Sequence, residues 1–207
     1  MQIEIENYNM GTFAMKAKAP DYIVKRLYDD GVKELKSYNH RLAGHLKTQF
    51  LYNKDTIVWF YKEMQEYWSC YREQHSNFHS LENKQVNLHA SDLWVNFMKP
   101  GDFNPIHTHG GDISFVLYLD VPVELEKEAN EHEGQSTPPG YLEFQFTQFQ
   151  KEKWFTNVVK MKPETGTIII FPAMLQHCVM PFKSNVTRVS VSGNLQMEDK
   201  DKTNGYF

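Results

Sequence analysis

Cysteine is nearly absent. Cys70 and Cys178 are the only two in 207 residues, too few for a disulfide framework. A reducing, cytoplasmic setting is the expectation that follows. The opening MQIEIENYNM has no basic start and no apolar run behind it, which speaks against a signal peptide. No stretch approaches the roughly 20 apolar residues that a bilayer span needs, so no membrane partner is expected. Positive charge is in deficit as well. The net charge of −4 argues against a nucleic-acid surface, which normally carries a basic face. What is present suffices for folding: 41% hydrophobic residues support a real core, and the length favours a single domain over 1–207.

The first half reads as helical. Pro20 sits where a helix can begin, and Ile23, Val24, Leu27 and Leu35 recur at roughly helical spacing. Asp30-Gly31 breaks or weakens that helix. A second helix is expected from Thr56 to about Tyr71, capped by Asn53 or Asp55. Its stripe of Ile57, Phe60, Met64, Tyr67, Trp68 and Tyr71 reads as a face packed on a sheet.

After Gln85 the texture changes. LHASDLWVNFMK, ISFVLYLDV, YLEFQFTQF, WFTNVVKMK, GTIIIF and RVSVSGNL read as strands, several with alternation of period two. Residues 124–140 read as a polar loop, either a flap or a surface insertion. Helices followed by roughly seven or eight short strands predict a mainly β protein with flanking helices. A helical layer is expected over about 15–80 and a β core over about 86–197, with a polar tail that frays.

Nine histidines is a high count for this length. His107 and His109 are two apart, so on a strand both would point to one side. His177 follows another apolar strand. Three imidazoles from two strands suit iron, manganese, nickel or zinc. Asn104, before Pro105, reads as a turn residue.

The segments WVNFMKPGDFNPIHTH, SFVLYLDVP, GTIIIFPAMLQHCVMPF and TRVSVSGNL resemble the iron(II) and 2-oxoglutarate-dependent oxygenases, especially a small bacterial and phage subgroup. The resemblance runs from Leu93 to Leu195. It implies a double-stranded β-helix, a jelly roll, with His107 and His177 as iron ligands. It implies that Arg188 pairs with the far carboxylate of 2-oxoglutarate and that Ser190 assists it. Asn96 and Tyr118 are further candidates for contact with the keto acid. Dioxygen is the implied co-substrate, with succinate and carbon dioxide released and the primary substrate open. This chain departs from the pattern at His109, where aspartate is usual. Either His109 is the third ligand, or Asp112 supplies oxygen in its place, or neither binds.

The same segments also resemble cupins, which share the fold. The glutamate after the histidine pair, a glycine at Met174 and the closing asparagine of that family are missing. A cupin-like metal enzyme without 2-oxoglutarate, and a non-enzymatic metal- or ligand-binding β-sandwich, are the alternatives. Arg188 separates them. It matters only if it faces inward, and alternation alone leaves open which face carries Arg188 and which carries Val189 and Val191.

Overall fold

The structure is a computed structural model that describes residues 4–9, 12–34, 36–80, 87–145 and 158–198. Among the described residues, two antiparallel sheets and four α-helices make up most of the fold. The chain begins with strands β1 (Ile5–Asn9) and β2 (Phe13–Lys18), helix α1 (Asp21–Gly31) and strand β3 (Gln49–Leu51). Helices α2 (Lys54–Glu63) and α3 (Gln65–Phe78) follow. Then come β4 (Asn87–Met98), β5 (Asn104–His107), β6 (Ile113–Asp120) and helix α4 (Val123–Asn130). The chain continues with β7 (Leu142–Gln145), β8 (Val158–Met161), β9 (Thr167–Pro172), β10 (His177–Val179) and β11 (Arg188–Glu198). The large sheet has the order β1-β2-β9-β6-β11-β4-β3 and the small one β5-β10-β7-β8.

The large sheet has an apolar core on each face. Toward the helices, Leu93, Val95, Phe115, Leu117, Val189 and Val191 pack with Phe60, Tyr67, Trp68 and Tyr71. Toward the small sheet, Met98, Tyr118, Ile169 and Phe171 meet Leu142, Phe144 and Val179. A period of two divides one strand between two cores. On β11, Val189 and Val191 therefore face the helices, and Arg188 and Ser190 face the space between the sheets.

Several expectations need correction. The second helix is two helices, broken at Met64, whose φ of −88° and ψ of 11° are not helical. The reason is where each half lands. α2 packs on β4 and α3 on β2, strands with β9, β6 and β11 between them. Asn53 is the cap, its side chain accepting from Thr56 N–H at 3.0 Å. The first half also contains three strands that composition did not reveal. β2 reads FAMKAK and is buried along most of its length; Phe13 is its one aromatic and it has no β-branched residue, so most of the usual strand signal is missing. Residues 124–140 are not all loop. α4 occupies the first part, because Leu125 and Ala129 are buried four apart among glutamates and a lysine that favour helix. Leu35, residues 146–157 between β7 and β8, and residues 199–207 of the tail expected to fray lie outside the described residues; Met197 and Glu198, the start of that tail, end β11. Among the described residues no helix is long and apolar enough to cross a membrane.

Glu128 of α4 fixes the approach to β11. Its carboxylate accepts from Lys183 N–H at 2.8 Å, Ser184 N–H at 2.8 Å and the Ser184 hydroxyl at 2.6 Å. Burial pushes this carboxyl up, but these bonds and the Lys183 charge outweigh it and hold it below the usual range. A carboxyl depressed on folding stabilises the fold at neutral pH, and that contribution disappears as pH falls through its folded value. Glu128→Gln should therefore lower the melting temperature at pH 7, and the gap from wild type should close below about pH 4. Thermal melts across that range check it, and a gap independent of pH would contradict the assignment.

Candidate metal centre

His107 ends β5 and His177 begins β10, and the two are direct partners across that antiparallel pair. Their ring centroids lie 4.3 Å apart. His109 sits two residues beyond the strand, in a loop stitched to its surroundings. Its own N–H donates to the Ala173 carbonyl at 2.8 Å, and Ala173 N–H donates to Asp112 carbonyl at 3.0 Å. Gly111 in this loop has φ +92°, and a Cβ there would meet the Leu195 carbonyl oxygen at 3.0 Å. The loop thus needs glycine for both conformation and space. The His109 ring lies 4.9 Å from His177 and 5.9 Å from Trp94. One ligating nitrogen from each histidine falls within 4.8 Å of the other two.

The hydrogen bonds set the tautomers. His107 Nδ1–H donates to the Pro105 carbonyl at 2.7 Å, and His177 Nδ1–H donates to the Leu175 carbonyl at 2.8 Å. A carbonyl only accepts, so Nδ1 carries the hydrogen and Nε2 keeps its lone pair. Such outer bonds orient metal-ligating histidines and raise their basicity. His109 Nε2 and His177 Nε2 are 3.1 Å apart, so one ring must donate to the other unless a cation sits between them. Protonation is disfavoured. Burial, then the charges of His107 and His109, pushes His177 down to about 3. Burial, then His107, pushes His109 down to about 4. Burial also lowers His107. Neutral imidazoles with free, converging lone pairs are the donor set that a divalent metal takes.

One cavity between the sheets is lined by the three histidines and also by Arg188. Arg188 is 3% exposed. Its Nη1–H donates to the Gly140 carbonyl at 2.6 Å, and the guanidinium carbon lies 5.4 Å from the centre of the Tyr118 ring. Its Nε has no hydrogen-bond partner, and no ion pair to it occurs among the described residues. Burial pulls its pKa down, with Tyr118 opposing.

Ser190, Asn96 and Tyr118 also line the cavity. They form one row across the sheet, Asn96 and Tyr118 being the partners of Ser190 on either side. The side chain of Asn96 is committed within the protein. Its Nδ2 donates to the Ser190 carbonyl at 3.4 Å and the Ser192 hydroxyl at 3.3 Å. Its Oδ1 accepts from Gln49 Nε2 at 2.7 Å.

The structure leaves Asp112 out of the cluster. Its carboxylate turns to β11 and accepts from Met197 N–H at 2.7 Å. Two cavity residues escaped sequence reading. Gln49 is on β3, too short a strand to announce itself. Asn104 reads as a turn residue but opens β5 and lines the cavity.

The family model described as "Putative 2OG-Fe(II) oxygenase" matches residues 92–194, about half of the chain and every residue of the cluster. The chain belongs to the iron(II) and 2-oxoglutarate oxygenase superfamily. Solved structures repeat the fold of this oxygenase at low identity. The viral collagen prolyl hydroxylase of Paramecium Bursaria Chlorella virus-1 is 16% identical, with a TM-score of 0.56 over 89% of this chain and 96% of that one. A prolyl-4-hydroxylase of Pseudomonas putida is 14% identical, with a TM-score of 0.52 over 96% and 95%. EvdO2 of Micromonospora carbonacea var. aurantiaca is 12% identical, with a TM-score of 0.51 over 89% and 86%. No curated protein matches the oxygenase in sequence.

The lowered histidines carry a consequence for acid stability. A histidine buried neutral has its folded pKa below its unfolded one, so its contribution is lost as pH falls through that interval. The metal-free oxygenase should lose stability from about pH 6.5 downward, and the His109→Ala/His177→Ala double variant should lose less. Denaturant titrations between pH 8 and pH 5 check this. Parallel curves for the two proteins would refute it.

Proposed function

We propose that this chain is an iron(II)- and 2-oxoglutarate-dependent dioxygenase that hydroxylates a substrate still to be found. His107, His109 and His177 hold the iron, and Arg188 holds the far carboxylate of 2-oxoglutarate. One observation carries this reading. A guanidinium is buried without an anion in the same cavity as three metal-ready imidazoles. An unpaired buried charge is costly, and a dicarboxylate supplies the missing partner through a charge-assisted, planar contact.

When bound, iron and the keto acid would supply dioxygen activation, with succinate and carbon dioxide as the co-products. The chain's own residues hold the parts. Arg188 anchors the acid, with one guanidinium edge already fixed on Gly140. Tyr118 closes the wall beside it. Burial raises the Tyr118 phenol, and Arg188 partly opposes this, so the phenol stays protonated and can donate. Ser190 adds a hydroxyl on the same face. Asn96 acts through its neighbours, since its amide is already bonded. His109 stands in for the usual carboxylate, so the centre lacks one compensating negative charge. Val116, Phe171 and Leu142 keep the cavity wall apolar, which excludes water from the reacting groups.

The burial of Arg188 supports this reading over a cupin-like enzyme or a non-enzymatic sandwich, neither of which needs an inward arginine. The two facing sheets form the double-stranded β-helix on this reading, and the chain folds as one domain. Two of the similar structures are prolyl hydroxylases, but their identity to this chain is too low to bring their substrate with it.

Anaerobic iron-loaded protein should develop a visible metal-to-ligand charge-transfer band on titration with 2-oxoglutarate. Arg188→Ala should weaken the keto acid on the order of a hundredfold and leave metal binding in place, with Arg188→Lys between the two. No band at saturating ligand, with no succinate formed, would remove the mechanism. An unchanged affinity in Arg188→Ala would move the acid elsewhere.

A further inference from the structure

The cavity contains a hydrogen-bond acceptor that 2-oxoglutarate cannot satisfy. Gln49 is 2% exposed, and its Oε1 has no partner. Its orientation follows from a relay that starts on the backbone. The Ser190 carbonyl can only accept, so Asn96 turns Nδ2 toward it, and toward the Ser192 hydroxyl beside it. That turns Asn96 Oδ1 toward Gln49, which must answer with Nε2, at 2.7 Å. Oε1 is left as the free end, and the residue lines the same cavity as the histidines and Arg188. Flipping Gln49 would set two amide groups of the same polarity against each other.

A second side-chain oxygen adds to this. Asn104 Oδ1 is also buried without a partner, and Asn104 lines the same cavity from β5 of the opposite sheet. The loop over it is tight. A Cβ on Gly44 would come within 2.2 Å of that oxygen, so a side chain there would drive Asn104 out of place. His45 N–H ties the loop to the Phe103 carbonyl at 2.8 Å.

Leaving a buried acceptor unmet is costly. The ionised keto acid has oxygens only and no donor, and a metal ion offers neither group a hydrogen. On the dioxygenase reading above, the donors that remain are water and the primary substrate, which a substrate-like probe distinguishes. We infer that Gln49 is a specificity-determining residue. Its Oε1, with Asn104 Oδ1 beside the same cavity, receives the N–H donors of a primary amide, ammonium or guanidinium group on that substrate. A site built to bond such a group rejects a close analogue lacking it, because the buried acceptor is then stranded. Arg188 and Gln49 thus divide the cavity into an end for an anion and a place for a donor.

The test uses a matched pair of probes, acetamide and acetone, which differ in an NH2 replaced by a methyl. The full chain is loaded with manganese(II), with and without 2-oxoglutarate, and the relaxation of each probe's methyl protons is measured. Acetamide should be relaxed more strongly than acetone, by a factor on the order of ten. Gln49→Leu should bring the two probes together. Manganese binding unchanged in Gln49→Leu separates a lost contact from a misfolded chain. Equal relaxation of the probes in the wild type means that water fills the place, and it overturns the inference. So does a preference that survives Gln49→Leu. Calorimetric titration of the manganese protein with 2-oxoglutarate reports separately on the dioxygenase reading. Failure there strikes that reading, because the probe ratio is read without the keto acid as well.

Discussion

The pairing of β5 with β10 is the constraint on which the site depends. Two residues far apart in the chain, His107 and His177, become direct antiparallel partners, and their rings are then held at 4.3 Å. Each ring is also turned by a carbonyl two residues before it, Pro105 for one and Leu175 for the other. The symmetry is physical. In both cases the backbone two residues upstream supplies an acceptor that claims Nδ1, and the Nε2 lone pair is left for the shared centre. His109 completes the set from a loop, and that loop is held by β11 and by Ala173 rather than by the small sheet. A shift of one residue in the pairing of β5 and β10 would send one imidazole to the opposite face and remove the centre.

The large sheet has a different part. It is buried on both faces, so its strands serve the helices on one side and the cavity on the other. Val189 and Val191 give β11 its grip on the helical layer, and this turns Arg188 and Ser190 into the interior. The buried arginine is then tolerated only because Gly140 takes one of its N–H groups and the Tyr118 ring lies near its face. Its Nε has no hydrogen-bond partner. The cavity is therefore polar along one row, from Gln49 through Asn96 and Ser190 to Tyr118, and apolar around it. Such a pocket orients an anion by a few groups and holds water back with the rest.

Much of this was legible in the residues. The strands of the second half, the three histidines and the arginine stand out because their patterns are local: alternation, a histidine pair, a strand behind each. The helices over the sheet were legible as well, from the stripe that runs from Ile57 to Tyr71. The break at Met64 was not, since it depends on which strands the two halves must cover. β2 and β3 were hidden for a similar reason. Short pieces buried on both faces need not alternate, and their strand character comes from neighbours far along the chain. α4 was hidden by its polarity, because two apolar residues suffice to seat a short helix.

By itself, the sequence determined antiparallel strands with helices packed on them, the chemistry of the donor set and the list from which ligands could be drawn. Local periodicity and residue type carry that much. Only the tertiary structure decided between His109 and Asp112 for membership of the cluster, by turning the carboxylate to the Met197 amide. Only it could decide that Arg188 faces inward, because alternation shows that two faces differ and not which one is covered by helices. It alone brought Gln49 and Asn104 to the cavity, one from each sheet. Neither residue has a local signal, since an amide side chain reads the same on a solvated turn as beside a buried site.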